Sequence, residues 1–294
     1  MEDKQQEIIN AIKKIIEVRK NPVLVLDLKE IKKIDLLVIH ELLCKKSFDS
    51  FDVILQTPGG DIDAAFLIAK LLRKKAKKVN IIVPLFAKSA GTLICLSADQ
   101  IILTDLSELG PLDTQVLERE EGRRKYTSAL NEFKALEQVQ LHTIETLDIA
   151  TKLILSRSDI GISEAIHLAT EFSGQTSGTL YSKLSPHKIG EYARALEIGE
   201  QYGIMLLTRH RGWSKENAEK TVKTLVKQYP SHNFIIDLEE LTKLGLPASE
   251  IETDLLDTVL FIRKKFLETQ QSLIKIVEPE KGLEIEDEKS KNQK

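Results

Sequence analysis

Two short turns carry residue types suited to acyl chemistry. The first, Thr57-Pro58-Gly59-Gly60-Asp61, directly follows the apolar run Val53-Ile54-Leu55. The second, Ala87-Lys88-Ser89-Ala90-Gly91-Thr92, directly follows Ile81-Ile82-Val83-Pro84-Leu85. Each leaves a run with strand character and enters an apolar segment with helical spacing. Both turns are therefore expected at strand C-terminal ends, where α/β sheets place their sites. A serine hydroxyl there can attack a carbonyl carbon once a base takes its proton. Ala90 and Gly91 permit a sharp bend and a close approach of backbone. The N–H groups of Ala90 and Gly60, offered from opposite walls, can hold the resulting oxyanion. The structural alternative is a helix N-cap serine facing an ordinary glycine loop, because serine is a favoured N-cap.

The base must come from elsewhere in the chain. His232 is the first candidate: it follows Pro230-Ser231 and precedes the apolar run Phe234-Ile235-Ile236. A core or capping histidine is the alternative. Lys134 is the leading lysine, but it falls in a charged helical face beside Glu132 and Glu137. A lysine base must be uncharged at neutral pH, which neighbouring carboxylates oppose. Lys134 therefore reads as a solvent-facing helix lysine. Lys88 adjoins Ser89, but neighbouring residues at a bend point in different directions, so it reads as exposed or as a substrate contact. Asp113 can orient His232 or cap the Gly110-Pro111 turn. Lys183 and His187 suit a partner surface. His40, His142, His167 and His210 sit in helical patterns and receive no role.

These residues need a frame that alternates strand and helix. Residues 4–18 repeat Ile at helical spacing and stop before Asn21-Pro22. Val23 to Leu28 reads as a buried strand, and Asp35 to Cys44 as a helix. Asp52 to Gln56 and Val79 to Pro84 are the strands before the two turns. Asp61 to Arg73 and Ser89 to Ser97 are the helices after them, and Gln100 to Thr104 is a fourth strand. Four alternations predict a largely parallel sheet with right-handed crossovers. The basic cluster at Lys74, Lys75, Lys77 and Lys78 reads as a solvated helix end. Beyond Gln115 the pattern turns helical: Ala129–Arg157, a segment from Ser185-Pro186 to about Arg209, Ser214–Lys227, and Ser249 to about Val277. Ser173-Gly174-Gln175-Thr176-Ser177-Gly178 reads as a loop by composition. The organisation expected is an N-terminal helix (1–20), a core with the nucleophile (21–125), a helical extension bearing His232 (126–277) and a disordered tail (278–294).

Composition narrows the class. The chain has 294 residues, 42% of them hydrophobic, enough for one large α/β domain with an appendage. A net charge of −3 supplies no basic field for nucleic acid. Two cysteines, Cys44 and Cys95, lie in apolar runs and read as buried reduced thiols of a cytoplasmic protein. No cysteine–histidine metal motif is present, and no cofactor is expected. No run approaches the roughly 20 apolar residues that span a bilayer, and the N-terminus has no signal-peptide pattern. The chain reads as soluble.

Taken together, the two turns resemble the Clp/crotonase superfamily, and most closely its serine dehydrogenase proteinase family. Glu108-Leu109-Gly110-Pro111-Leu112-Asp113-Thr114-Gln115, Leu180–Gly190 and Tyr229–Asp237 extend the resemblance over about residues 20–250. The resemblance implies a spiral of ββα units with a largely parallel sheet and a C-terminal helical region. It implies a serine peptidase acting on peptides or unfolded polypeptide through an acyl-enzyme on Ser89, assembled as a homo-oligomer. Clp relatives use Ser-His-Asp and signal peptide peptidase relatives Ser-Lys. Where the Clp histidine would fall, this chain has Leu112-Asp113-Thr114, so a direct Clp triad is not present and Asp113 belongs near the site. Two other readings stay open: a crotonase-type acyl-coenzyme A enzyme, and an oligomeric Clp-fold scaffold without catalysis. A serine at the turn argues against the first, and the unsettled base permits the second.

Overall fold

The structure is a computed structural model describing the backbone of residues 2–112, 115–120 and 123–279, and the side chains of 6–112 and 134–279. The chain opens with α1 (Glu2–Arg19), then β1 (Val23–Asp27), α2 (Lys33–Leu43), β2 (Phe48–Gln56), α3 (Ile62–Lys75), β3 (Ala76–Val83), β4 (Phe86–Ala87), α4 (Ala90–Cys95), β5 (Gln100–Leu103) and β6 (Glu108–Leu109). A hairpin of β7 (Gln115–Glu120) and β8 (Arg123–Ser128) leads into α5 (Ala129–Arg157), α6 (Ile162–Tyr181), α7 (Pro186–Arg211) and α8 (Lys215–Lys223). After a π-helical turn at Thr224–Gln228 come α9 (Leu238–Lys243), β9 (Ala248–Glu250), α10 (Thr253–Leu267) and β10 (Leu273–Val277).

The main sheet runs β10-β1-β2-β3-β5-β9, parallel throughout except for β10 against β1. Strand alternation divides its side chains between two cores. Leu24, Leu26, Val53, Leu55, Ile81 and Val83 pack with residues of α2, α3, α4 and α7, while Val23, Val25, Ile54, Ile82 and Ile102 pack with α1 and α10. Burial on both faces is why these strands read as unbroken apolar runs rather than alternating ones.

A second ladder of very short segments crosses the C-terminal ends of these strands. Ile31 pairs with Gly60, Thr57 with Ala87, Ala87 with Leu109, and Leu109 with Ile236. Each of β1, β2 and β3 is thus followed by a short piece of this ladder and then by a helix. That is the ββα unit of a Clp/crotonase-like α/β fold. The ladder threads both chemistry-bearing turns together.

Three local expectations change. Ser173–Gly178 lies inside α6, not in a loop. Ala165, Ala169, Ser173 and Ser177 form a buried stripe at every fourth residue, and Ser173 Oγ donates to Thr143 O of α5 at 3.0 Å. Small side chains there let the two helices approach closely. The single helix expected over Ser249–Val277 is strand, helix and strand, and β9 and β10 take the two edges of the sheet. Cys44 is exposed at the end of α2, whereas Cys95 is buried and burial pushes its thiol pKa up. Of the tail, Glu278 and Pro279 are described, and 280–294 lie outside the described residues. Among the described residues, no helix is long and apolar enough to cross a membrane.

One buried carboxylate gives a pH prediction. Asp27, at the end of β1, is 1% exposed and pairs with Lys29 Nζ at 2.8 Å. Burial pushes its pKa up to about 6, with Lys29 opposing the shift. A carboxyl held above its unfolded value binds its proton more tightly when folded, so its contribution favours folding at low pH and fades as pH rises through about 6. Two units correspond to at most about 3 kcal/mol. Urea midpoints at pH 5 and pH 7.5 should show a component of this sign, absent in Asp27→Asn.

Candidate active site

Ser89 occupies a backbone position normally given to glycine. Its φ is 50° and its ψ −115°, and Gly91 N–H donates to Lys88 O at 2.8 Å. These are the features of a type II′ turn over Lys88–Gly91 with Ser89 at its second position, where a Cβ is costly. Such strain amounts to about 1–3 kcal/mol and persists only where the surroundings enforce it. Although Ser89 precedes α4 as its N-cap residue, its side chain makes no cap hydrogen bond. The capping account therefore does not explain this serine.

The surroundings that enforce the strain come from the Pro58-Gly59-Gly60 turn. Gly59 and Gly60 have φ of 115° and 144°. A Cβ on Gly59 would lie 3.0 Å from Ser89 Cβ, 3.0 Å from Lys88 O and 3.4 Å from Ala90 N. A Cβ on Gly60 would lie 2.4 Å from Ile31 O. Only glycine permits this approach on either side. Gly59 O accepts from Ile31 N at 2.8 Å, and Asp61 N donates to Ile31 O at 2.9 Å. The intervening Gly60 N–H therefore faces away from Ile31.

Threonines and one lysine brace the pair of turns. Thr57 Oγ1 accepts from Gly59 N at 3.2 Å. Thr92 Oγ1 lies 2.9 Å from Ala87 O and 2.8 Å from Gly110 O. Lys88 turns inward: its Nζ donates to Leu109 O at 3.1 Å and pairs with Glu108 at 2.9 Å. Its stem covers Gly110, where a Cβ would meet Lys88 Cδ at 2.6 Å. Lys88 thus ties β4 to β6 and is neither exposed nor placed for a substrate contact. In the sequence, Thr57 stands two and three residues before the glycine pair and Thr92 three after Ser89, spacings at which hydroxyls can satisfy turn backbone.

The remaining candidates divide. Leu109 exchanges hydrogen bonds with Ile236, at 2.9 and 3.1 Å, which fixes the half-buried His232 segment to the ladder that carries Ala87. Two ladder spacings put Ile236 about 10 Å from Ala87. Lys134 is not a solvent lysine: half-buried, its Nζ donates to Tyr229 O at 2.9 Å, three residues before His232. Asp113 lies outside the described residues. Lys183 and His187 are exposed at the α6–α7 junction, His142 and His167 are exposed on α5 and α6, and His40 and His210 border a groove between α2 and α3.

Residues 36–163 match the ClpP-like SDH-type serine proteinase family. This is the family that the sequence motifs resemble, and the matched segment contains both turns, Ser89 and Lys134. Two uncharacterized proteins of Methanocaldococcus jannaschii are similar: one is 29% identical over 197 residues, 66% of this chain and 52% of the relative. The other is 36% identical over 104 residues, 35% of this chain and 34% of the relative. The chain thus spans about half the length of the first relative and a third of the second. Among solved structures, a variant of a membrane-bound stomatin-specific protease superposes with a TM-score of 0.40 at 16% identity, covering 78% of this chain and 79% of that one. A ClpP1 variant from Listeria monocytogenes gives 0.38 at 12% identity, covering 83% and 98%.

Proposed function

We propose that this chain is a serine peptidase that cleaves peptides or unfolded polypeptide through an acyl-enzyme on Ser89. The observation that carries the reading is a serine held at φ 50°, where glycine is the ordinary choice, against the glycine pair. At that φ the side chain makes no cap hydrogen bond to its own helix, and the strain serves presentation of the nucleophile. The N–H groups of Ala90 and Gly60 hold the developing oxyanion. His232 takes the Ser89 proton and returns it to the leaving amine, with Asp113 orienting the imidazole. Water then hydrolyses the ester by the same base.

The contact of Lys134 with Tyr229 favours a second assignment of the base, a Ser89–Lys134 dyad. Arginine separates the two readings, because it keeps a donor for Tyr229 O but cannot give up its proton at neutral pH. With His232 as base, His232→Ala loses about 10²- to 10⁴-fold in kcat. Lys134→Ala then loses no more than about 10²-fold, through displacement of the Tyr229–His232 segment, and Lys134→Arg recovers most of it. Kinetics on a fluorogenic peptide decide: an inactive Lys134→Arg beside an active His232→Ala assigns the base to Lys134.

The same reading includes a homo-oligomer that shades the sites. α5 and α6 expose Ile144 at 64%, Ile162 at 67% and Phe172 at 53%, more apolar surface than an isolated helical pair ordinarily leaves in water. Light scattering at micromolar concentration should give a multiple of the chain mass, and a monomer would remove this part of the proposal.

A further inference from the structure

We propose that Lys88 is a positioning residue, whose ammonium clamps the turn carrying Ser89 to the segment Tyr229–Ile236 that places the base. The role rests on the reading of Ser89 as nucleophile. It holds for either base, because His232 lies in that segment and Lys134 donates to it at Tyr229 O.

The clamp closes on one carbonyl. Leu109 of β6 is fully buried and exchanges two hydrogen bonds with Ile236. Its N–H donates to Ile236 O at 2.9 Å, and its O accepts from Ile236 N–H at 3.1 Å. Lys88 Nζ donates to that same oxygen at 3.1 Å. A backbone carbonyl has two lone pairs and can serve both donors. The donors come from the two halves of the proposed site: Lys88 immediately precedes Ser89, and Ile236 stands four residues after His232. The root of the Lys88 side chain is fixed as well. Its N–H donates to Thr57 O at 3.0 Å, and its O accepts from Gly91 N–H at 2.8 Å. On the far side, Leu112 N–H donates to Leu225 O at 2.8 Å, in the π-helical turn that leads to Tyr229.

A lysine is a costly choice here for packing alone. Its side chain is 15% exposed, and that of Glu108, its ion-pair partner, 24%. An ion pair drawn this far from water seldom stabilises a fold more than an apolar side chain of the same shape. The stem covers Gly110, with Cδ where a glycine substitute's Cβ would go, and the stem of methionine would cover it equally. What the ammonium alone supplies is a charge-assisted bond to Leu109 O, with Glu108 holding the charge in place. Its contribution is therefore to the spacing of nucleophile and base more than to stability. A misplacement of about 1 Å between reacting groups costs up to about 10²-fold in rate.

Lys88→Met and Lys88→Arg in the full chain, assayed on a fluorogenic peptide, test the role. Lys88→Met should lose about 30- to 100-fold in kcat, with KM within about twofold of the parent and an unchanged urea midpoint. Lys88→Arg keeps donors for Leu109 O and Glu108 and should recover about tenfold or more of the loss. In the variant that lacks its base, whichever of His232→Ala and Lys134→Arg is inactive, adding Lys88→Met should cost less than about threefold, because the spacing it sets no longer matters. A fully active Lys88→Met beside an active parent, a change in KM alone, or the whole loss repeated in the variant without its base would each overturn this role and leave Ser89 as nucleophile. A parent with neither turnover nor a fluorophosphonate adduct on Ser89 would instead remove the nucleophile, and this role with it.

Discussion

Ser89→Ala should reduce peptide turnover on the order of 10⁴-fold or more, the loss typical of deleting a catalytic nucleophile, while leaving the fold intact. Alanine keeps the Cβ, so the backbone strain at φ 50° is unchanged, and no cap hydrogen bond of Ser89 is lost. Ser89→Gly makes a sharper test, because it separates function from stability. Glycine at the second position of a type II′ turn removes the conflict between Cβ and backbone. Its urea midpoint should therefore rise, by an amount equivalent to about 1 kcal/mol, while activity falls as far as in the alanine variant. A destabilised Ser89→Gly would mean that the strain is not where the geometry places it. Normal turnover in either variant would remove the nucleophile.

Asp52→Ala should be the most destabilising single change far from the site. Asp52 is fully buried in β2. It accepts from Arg19 Nε at 2.6 Å, Asn21 Nδ2 at 3.0 Å and Asn80 Nδ2 at 2.7 Å. Arg19, the last residue of α1, also pairs with Glu252 just ahead of α10. Burial works against the Arg19 charge, and hydrogen bonds and charges from Asp52 and Glu252 outweigh it. Removing the carboxylate leaves Arg19 with the half-exposed Glu252 alone and takes the acceptor from Asn21 and Asn80, which costs about 3–5 kcal/mol, a large share of the 5–15 kcal/mol typical of a folded chain. Arg19→Met should restore part of the loss in the double variant, because no buried cation then lacks its main partner. Denaturant midpoints of the four proteins measure the cycle. A loss below about 1 kcal/mol in Asp52→Ala would show that this cluster does not hold α1 to the sheet.

What the sequence disclosed, and what it withheld, follows from the range of the interactions. Buried parallel strands are apolar on both faces, so Val53–Leu55 and Ile81–Val83 were visible as runs, and the turns after them as breaks. The unusual φ of Ser89 was not visible, because it belongs to a turn packed against Gly59, some thirty residues earlier. β10 was hidden because Leu273–Val277 follows a helix with continuous apolar character, and only the unpaired edge of β1 decides that it becomes a strand. In α6, glycine and serine suggested a loop, yet a stripe of small residues every four positions is also a helix contact face. Lys134 looked solvated from its charged neighbours, and its bond to Tyr229 spans 95 residues. Ile236 likewise joins the ladder through Leu109, far away in sequence. Local pattern thus gave the frame, and long-range contacts gave the site its details.

Ser89 is expected to be covalently reactive in the folded chain. The most direct measurement is intact-mass spectrometry of the full chain after treatment with a fluorophosphonate, followed by peptide mapping. The expected result is one adduct per chain, on the peptide containing Ser89, absent after heat denaturation and absent in Ser89→Ala. No adduct on the folded protein, or an adduct that persists in Ser89→Ala, would contradict it.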